Sequence, residues 1–594
     1  MKYPRCEHEN EPRLVRVGSL GELKEKGCLV VSAGSHGVVV FWHEGRAWAV
    51  DNRCPHMGFP LNRGTVRDGL LTCHWHHARF DLASGGTLDP WADDVRAYPI
   101  LIRDSDVFVD VGREGGDRGA HWRRRLQQGL EAELSLVVAK STLALWYEGA
   151  GAHEIVCVGA RFGARHRAAG WGSGLSILTA MANVLPVLGP EERPLALFHG
   201  LVRVAEDCIG QSPRFDLDPL PTAGLPLLRL KVWFRQAVEV RDAEAAERAL
   251  QTAIASGAPP ETVADLLFSA VTDHYFVDAG HQLDYIAKAF ELLDHLGWDE
   301  APAILPSLVG GLCRAQRSEE QGAWRRPIDL TDLLEPAFEK LASLVGEDAR
   351  AGRLLGDREF DELVAVILGD EPESTVEALL AALRHRVALA ELGQAVAHAS
   401  SLRIARFPTT NEFGDWDTVH NTFSSSNALQ QALLRAPSYE LARGLFHVVM
   451  RVYLDRFLNV PPARLPELPS DPSGEETDAP VALLELLDRE QQVSAAGRLV
   501  HAHLALGRDD RPLIESLGRA VLREDAGFHD YQELDGALRQ YAALKPTRPV
   551  AARRALVAGA RFVAAHCPTP RALRQTYQIA LRLQRGEELF HASE

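Results

Sequence analysis

The texture of the chain changes once, near residue 118, and that change rules out one fold built around one core. Before it, residues 12–112 are short alternating or apolar runs: Cys28-Leu-Val-Val-Ser, Gly37-Val-Val-Val-Phe-Trp, Ala47-Trp-Ala-Val and Val107-Phe-Val-Asp-Val. Gly, Asn and Asp turns separate them, which is the pattern of β-strands. After it, Ala, Leu, Glu and Arg dominate and apolar residues recur three and four apart, as in Glu244-Ala-Ala-Glu-Arg-Ala-Leu-Gln-Thr-Ala-Ile. Gly257-Ala-Pro-Pro ahead of Thr262-Val-Ala-Asp-Leu-Leu-Phe reads as a helix stop and restart. At 594 residues the chain also exceeds what a single core organises. The expected fold is multidomain: a small all-β domain over 12–112, then a large all-α body of antiparallel helix pairs. Six prolines and five acidic residues between Pro461 and Pro480 mark an exposed loop or linker. That divides the body into a helical domain over 120–460, the loop over 461–480, and a C-terminal helical segment over 481–594 packed on the body. A second Pro-rich connection runs from Pro213 to Pro226. Leu197-Phe-His199-Gly-Leu-Val-Arg203 echoes Leu445-Phe-His447-Val-Val-Met-Arg451, as two related helical halves would.

Charge narrows the partners. With 64 basic and 81 acidic residues the net charge is −17, leaving no basic surplus to neutralise nucleic acid or an anionic membrane. No apolar run approaches the length of a transmembrane helix. The N-terminus Met1-Lys-Tyr-Pro-Arg-Cys-Glu-His lacks the apolar stretch of a secretory signal. The eight cysteines are scattered, which suits a reducing cytoplasm better than a disulfide framework.

One cysteine spacing stands apart. Cys54-Pro-His56, sixteen residues, then Cys73-His-Trp-His76 offers two thiolates and two imidazoles from two short loops. A [2Fe–2S] centre with thiolates on one iron and histidines on the other needs this ligand set. A Cys₂His₂ zinc site uses the same residue types, but pairs Cys with Cys and His with His, whereas each loop here pairs one Cys with one His.

With Asp51-Asn-Arg ahead of it and Ala78-Arg-Phe-Asp behind, this pattern resembles the Rieske domain of ferredoxins and ring-hydroxylating oxygenases. The resemblance covers residues 12–112 and implies a small antiparallel β domain, a [2Fe–2S] cluster on Cys54, His56, Cys73 and His76, and one-electron transfer. It also implies a branch. Rieske proteins of cytochrome bc complexes carry an extra cysteine in each cluster loop; the matching positions here are Phe59 and Trp75. The Ser and Tyr that donate to the cluster in that branch match Ala78 and Phe80. Donors to sulfur stabilise the reduced cluster, so their absence places the potential toward the low end of the roughly −150 to +300 mV Rieske range. His74 and His77 read as solvated neighbours.

A one-electron centre fused to so large a body implies a second site there. The mononuclear-iron motif of ring-hydroxylating oxygenases, Asp-x₂-His with a second His four or five residues on, is half present at Asp278-Ala-Gly-His281 and at Asp417-Thr-Val-His420, and incomplete at both. Glu-x-x-His, the di-iron bundle motif, occurs only at Glu588 and His591. No Gly-rich nucleotide fingerprint opens a β-α unit, so electrons are expected from a separate reductase or ferredoxin. What remains is histidine. His274, His281 and Lys288 fall on one helix face, drifting about 20° per seven residues. Seven residues rise about 10.5 Å, so His274 and His281 share an ion only where the helix breaks, and Gly280 is the place. His199, His447, His503 and His529 are further candidates, as is the polar run His420-Asn-Thr-Phe-Ser-Ser-Ser-Asn427 preceding an apolar helix. The expected ligands of a second iron, Fe(II), are a subset of His199, His274, His281 and His420. The helical, His-bearing body also faintly resembles the questin-oxidase family. That resemblance implies O₂-dependent oxidation of an aromatic or polyketide-like small molecule. The competing expectation is an electron carrier or redox sensor whose helical body is a docking scaffold without its own metal.

Overall fold

The computed structural model describes residues 13–33, 36–112, 117–221, 224–346, 349–467, 478–587 and 589–590. It divides into two units, residues 1–151 with 575–594, and residues 152–574.

The first unit holds three antiparallel sheets. Leu14–Ser19 pairs with Asp106–Asp110, which pairs with Ile100–Arg103. Cys28–Ala33, His36–His43, Arg46–Asp51 and Ala97–Tyr98 follow in order in the second sheet. Thr65–Arg67, Leu70–Thr72 and Arg79–Asp81 form the third. Two-residue turns close three hairpins: Glu44-Gly45, Asp68-Gly69 and Asp104-Ser105, all with positive φ at both residues. Such primed turns match the right-handed twist of the strands they join. The continuous apolar run around Val38 is explained by burial on both faces. Val38 and Val40 pack with Leu23, Tyr98, Val107 and Val109, while Val39 and Phe41 pack with Val50, Leu61, Leu71 and Phe80.

An all-β domain followed by a helical body is the architecture expected, but the units divide elsewhere than 112/120 and 461–480. Helices Arg118–Glu131 and Ser135–Tyr147 fall in the first unit, as do residues 575–594. Arg53 ties the latter down, donating from its guanidinium to the carbonyls of Leu583 and Glu587 at 3.3 and 2.5 Å. Phe590 packs its ring 4.9 Å from Phe59 and 5.5 Å from Trp75. These contacts are invisible to a reading of local texture, since all three segments are helical or irregular. Part of the Pro-rich loop, residues 468–477, lies outside the described residues, as do Glu588 and His591.

The second unit is helical. Sequence neighbours such as Ser173–Val184 with Glu192–Asp207, Leu389–Ala405 with Phe413–Arg435, and Phe528–Leu544 with Pro549–His566 pack against each other. Among the described residues no helix is long and apolar enough to cross a membrane. The helix does break at Gly280: Asp278, Ala279 and Gly280 all have positive φ, and helix His281–Leu296 starts afresh. The glycine is required twice over, because a Cβ there would also stand 2.7 Å from Cβ of Ser425 on the crossing helix. The polar run after His420 does not precede a helix but lies inside Phe413–Arg435. Its hydroxyls are spent internally, Ser426 on Ser400 at 2.7 Å and Thr422 on the buried Asp455 at 2.5 Å.

Candidate functional site

Two loops of the first unit are closed in the same way. The Cys54 N–H donates to the Phe59 carbonyl and the Cys73 N–H to the Ala78 carbonyl, each at 2.8 Å and each five residues on. The fourth residue of each turn takes positive φ, Gly58 at 84° and His77 at 63°. Each loop thus folds one Cys inward and brings one His beside it. Cys54 and Cys73 are buried. His56 and His76 stand edge to face with ring centres 4.8 Å apart, His76 exposed and His56 partly covered by Trp91 at 4.7 Å.

Electrostatics fit a cluster. The Cys54 thiol lies within hydrogen-bonding reach of Cys73; that bond holds Cys73 down to about 6, helped by the N–H groups of Trp75 and His76 directed at its sulfur. The same bond, with burial, pushes Cys54 up, against the N–H groups of His56 and Met57. Burial, then the neighbouring His76, hold His56 down at about 4, so it is a neutral imidazole at physiological pH, as a metal ligand must be. Its Nδ1 is buried with no protein partner, the atom an iron would satisfy. Ala78 and Phe80 are fully buried and bring no hydroxyl to the sulfurs. His74 and His77 are exposed, as expected of bystanders.

A small antiparallel domain presenting two Cys–His loops is the class of protein this geometry defines. Residues 13–99 match the Rieske [2Fe-2S] domain. The chain belongs to that family through this segment, and the domain implies a [2Fe–2S] cluster. It is 32% identical over 97 residues to the anthranilate 1,2-dioxygenase ferredoxin subunit of Burkholderia cepacia, covering 16% of this chain and 90% of that one. It is 30% identical over 79 residues to the 3-phenylpropionate/cinnamic acid dioxygenase ferredoxin subunit of Photorhabdus laumondii, 13% of this chain and 75% of that one. A Rieske domain-containing protein of Homo sapiens is 33% identical over 119 residues, 17% and 76%.

The helical body distributes its histidines differently from expectation. His199 is fully buried, with Nδ1 on the Tyr531 hydroxyl at 2.7 Å and Nε2 left without a hydrogen-bond partner. His274 lies between Glu319 and Glu239, each at 2.7 Å. Neither joins the other candidates. His447 packs among rings, 5.0 Å from Tyr275, and His503 bonds the Asp509 carbonyl. His281 and His420 do converge, and on one of the further candidates: His529 lies 6.1 Å from His281 and 5.2 Å from His420 between ring centres. Glu533, one helical turn beyond His529, brings its carboxyl to 3.5 Å from Nε2 of His420. Both nitrogens of His420 and both oxygens of Glu533 are buried with no hydrogen-bond partner, as is Nε2 of His529. Asp417 accepts from Nδ1 of His529 at 2.9 Å, which fixes the tautomer and leaves Nε2 with its lone pair. Burial holds His420 well below the usual histidine range and Glu533 well above the usual carboxylate range. As placed, no three His, Cys, Asp or Glu side chains among the described residues stand around a single ion. The residue the sequence reading missed is Glu533, and the signal for it was its four-residue spacing from His529, which shares a helix face.

Proposed function

We propose that the chain is a Rieske-dependent oxidoreductase. Electrons from a separate reductase or ferredoxin enter at Cys54, His56, Cys73 and His76. They are used in the helical body to activate O₂ against an aromatic or polyketide-like small molecule. Two of the relatives named above are ferredoxin subunits of dioxygenase systems, which supports the electron-transfer half. The observation that carries the other half is the group His281, His420, His529 and Glu533, in which His420 and Glu533 are fully buried and His281 and His529 partly so. Leaving five nitrogen and oxygen atoms of His420, His529 and Glu533 desolvated and unpartnered costs roughly 1–3 kcal/mol each. A divalent ion would satisfy four of them at once, one nitrogen of His420, Nε2 of His529 and both oxygens of Glu533, and neutral imidazole with one carboxylate is a donor set that suits Fe(II). Two imidazoles on one ion at about 2.1 Å hold their ring centres roughly 5–6 Å apart, close to the separations observed. His274 drops out of the ligand set because Glu239 and Glu319 engage both its nitrogens, and His199 because it does not converge on this group. A cavity of about 490 Å³ lined by Thr409, Trp416, Glu490 and His566 offers room for a substrate. His566 is the link between the two, 3.3 Å from Asp530 and 4.0 Å from Asp417.

The alternative, an electron carrier or redox sensor with a metal-free helical scaffold, is favoured by the wide spacing of the side chains as placed. Iron counting separates the two. Three irons per chain are expected, falling to two in His420→Ala while the Rieske signal persists. Two irons per chain in the unaltered protein would leave the carrier.

A further inference from the structure

Helix Ser135–Tyr147 lies beyond the segment that matches the Rieske family, yet it sends a lysine into the first cluster loop. Lys140 is buried and donates from Nζ to the Pro55 carbonyl at 2.7 Å. It also pairs with one carboxylate oxygen of Asp93. Arg125, from the preceding helix, takes the other oxygen at 2.8 Å and donates to the carbonyls of Pro90 and Ala92 at 3.0 and 3.1 Å. All three charged side chains are at least nine-tenths buried. Two cations against one anion leave a net charge of +1 beside the loop.

The position of the accepted carbonyl matters more than the charge alone. Pro55 C=O belongs to the peptide whose N–H, on His56, is directed at the Cys54 sulfur. A donor on the oxygen side of a peptide polarises it and strengthens the bond its N–H makes. Trp91, in the turn that Arg125 and Asp93 hold, covers the His56 ring. We infer that Lys140 is a positioning residue for the cluster: it fixes the Cys54–His56 loop and relays positive charge through one peptide to the Cys54 sulfur, raising the cluster's reduction potential. It supplies from a helix what Ala78 and Phe80 do not supply as hydroxyls. The inference rests on the [2Fe–2S] assignment alone and not on a metal in the helical body.

Redox titration of the full-length, cluster-loaded protein, followed by EPR, tests it. Lys140→Met takes the local charge to zero and removes the donor. The midpoint is expected to fall so that, at the unaltered protein's midpoint, the oxidised-to-reduced ratio rises about tenfold. Lys140→Arg is expected to recover most of that shift. Asp93→Asn takes the local charge to +2, and its midpoint is expected to rise. A merely structural role would move both variants the same way. An unshifted Lys140→Met midpoint at full cluster content overturns the inference. So does a fall in Asp93→Asn, which also decides the matter where Lys140→Met fails to fold.

Discussion

The two regions place histidines by opposite means. In the Rieske domain each His sits two or three residues from its partner Cys, and a single turn closed by backbone hydrogen bonds brings the pair together. In the helical body His281, His420 and His529 come from three helices far apart in sequence, and only tertiary packing brings them within reach. The first arrangement tolerates exposure, with His76 at the surface; the second is more enclosed, with His420 and Glu533 fully buried and His281 and His529 partly so. A site that exchanges electrons with partners has to reach solvent, whereas one that activates O₂ gains from excluding water.

The sharpest way to break this contrast is to remove one member from the exposed site. Cys73→Ser or His76→Cys is expected to abolish or transform the Rieske EPR signal while the far-ultraviolet circular dichroism of the helical body is unchanged. Loss of helix in either variant would mean that the two regions are not independently specified.

The more enclosed site is probed more gently through a residue beside it. Asp417→Ala removes the acceptor that fixes the His529 tautomer, and such outer partners typically carry 10–100-fold in metal affinity. Iron binding to the helical body, measured by competition with a chelator, is expected to weaken by about that factor, with the Rieske signal untouched. Equal affinity in the variant would remove Asp417, and with it His529, from the site.

The sequence made the first region readable because ligand identity, spacing and turn chemistry are all local there. Cys54, His56, Cys73 and His76 fall within 23 residues, and the departures at Phe59, Trp75, Ala78 and Phe80 are read off the same stretch. In the body, His199 and His274 looked as eligible as His281, because their engagement by Tyr531 and Glu319 depends on residues 332 and 45 positions away. The break at Gly280 was legible as a glycine in an aromatic run; what it approaches, Ser425, was not. Lys140 and Phe590 carried no signal at all, since their partners in the cluster loops belong to a different secondary-structure class.

Burial itself supplies a pH prediction that distinguishes the regions. His398, 1% exposed with neither nitrogen partnered, is held down to about 3 by desolvation. Its folded-state value lies below the unfolded 6.5, so the unfolded chain binds the extra proton between these limits. Its contribution is complete above pH 6.5 and is lost progressively as pH falls toward 3. His398→Leu is expected to flatten the dependence of unfolding free energy on pH in that window by up to about 1.4 kcal/mol per pH unit. An unchanged slope in urea titrations at pH 6 and pH 4.5 would mean that the imidazole is hydrated. A smaller effect belongs to the cluster. Ala78→Ser and Phe80→Tyr add the absent donors, and a net gain of about 1 kcal/mol per hydrogen bond raises the midpoint by roughly 40 mV each. A lowered midpoint would show that the new hydroxyls do not face sulfur.

Whether the body holds its own iron is decided most directly by anomalous diffraction from crystals of the full-length protein grown anaerobically, with data collected on both sides of the iron edge. Two centres are expected: a two-iron peak among Cys54, His56, Cys73 and His76, and a single-iron peak among His281, His420, His529 and Glu533. A map with the cluster peak alone, from protein loaded with iron before crystallisation, would contradict the oxygenase reading.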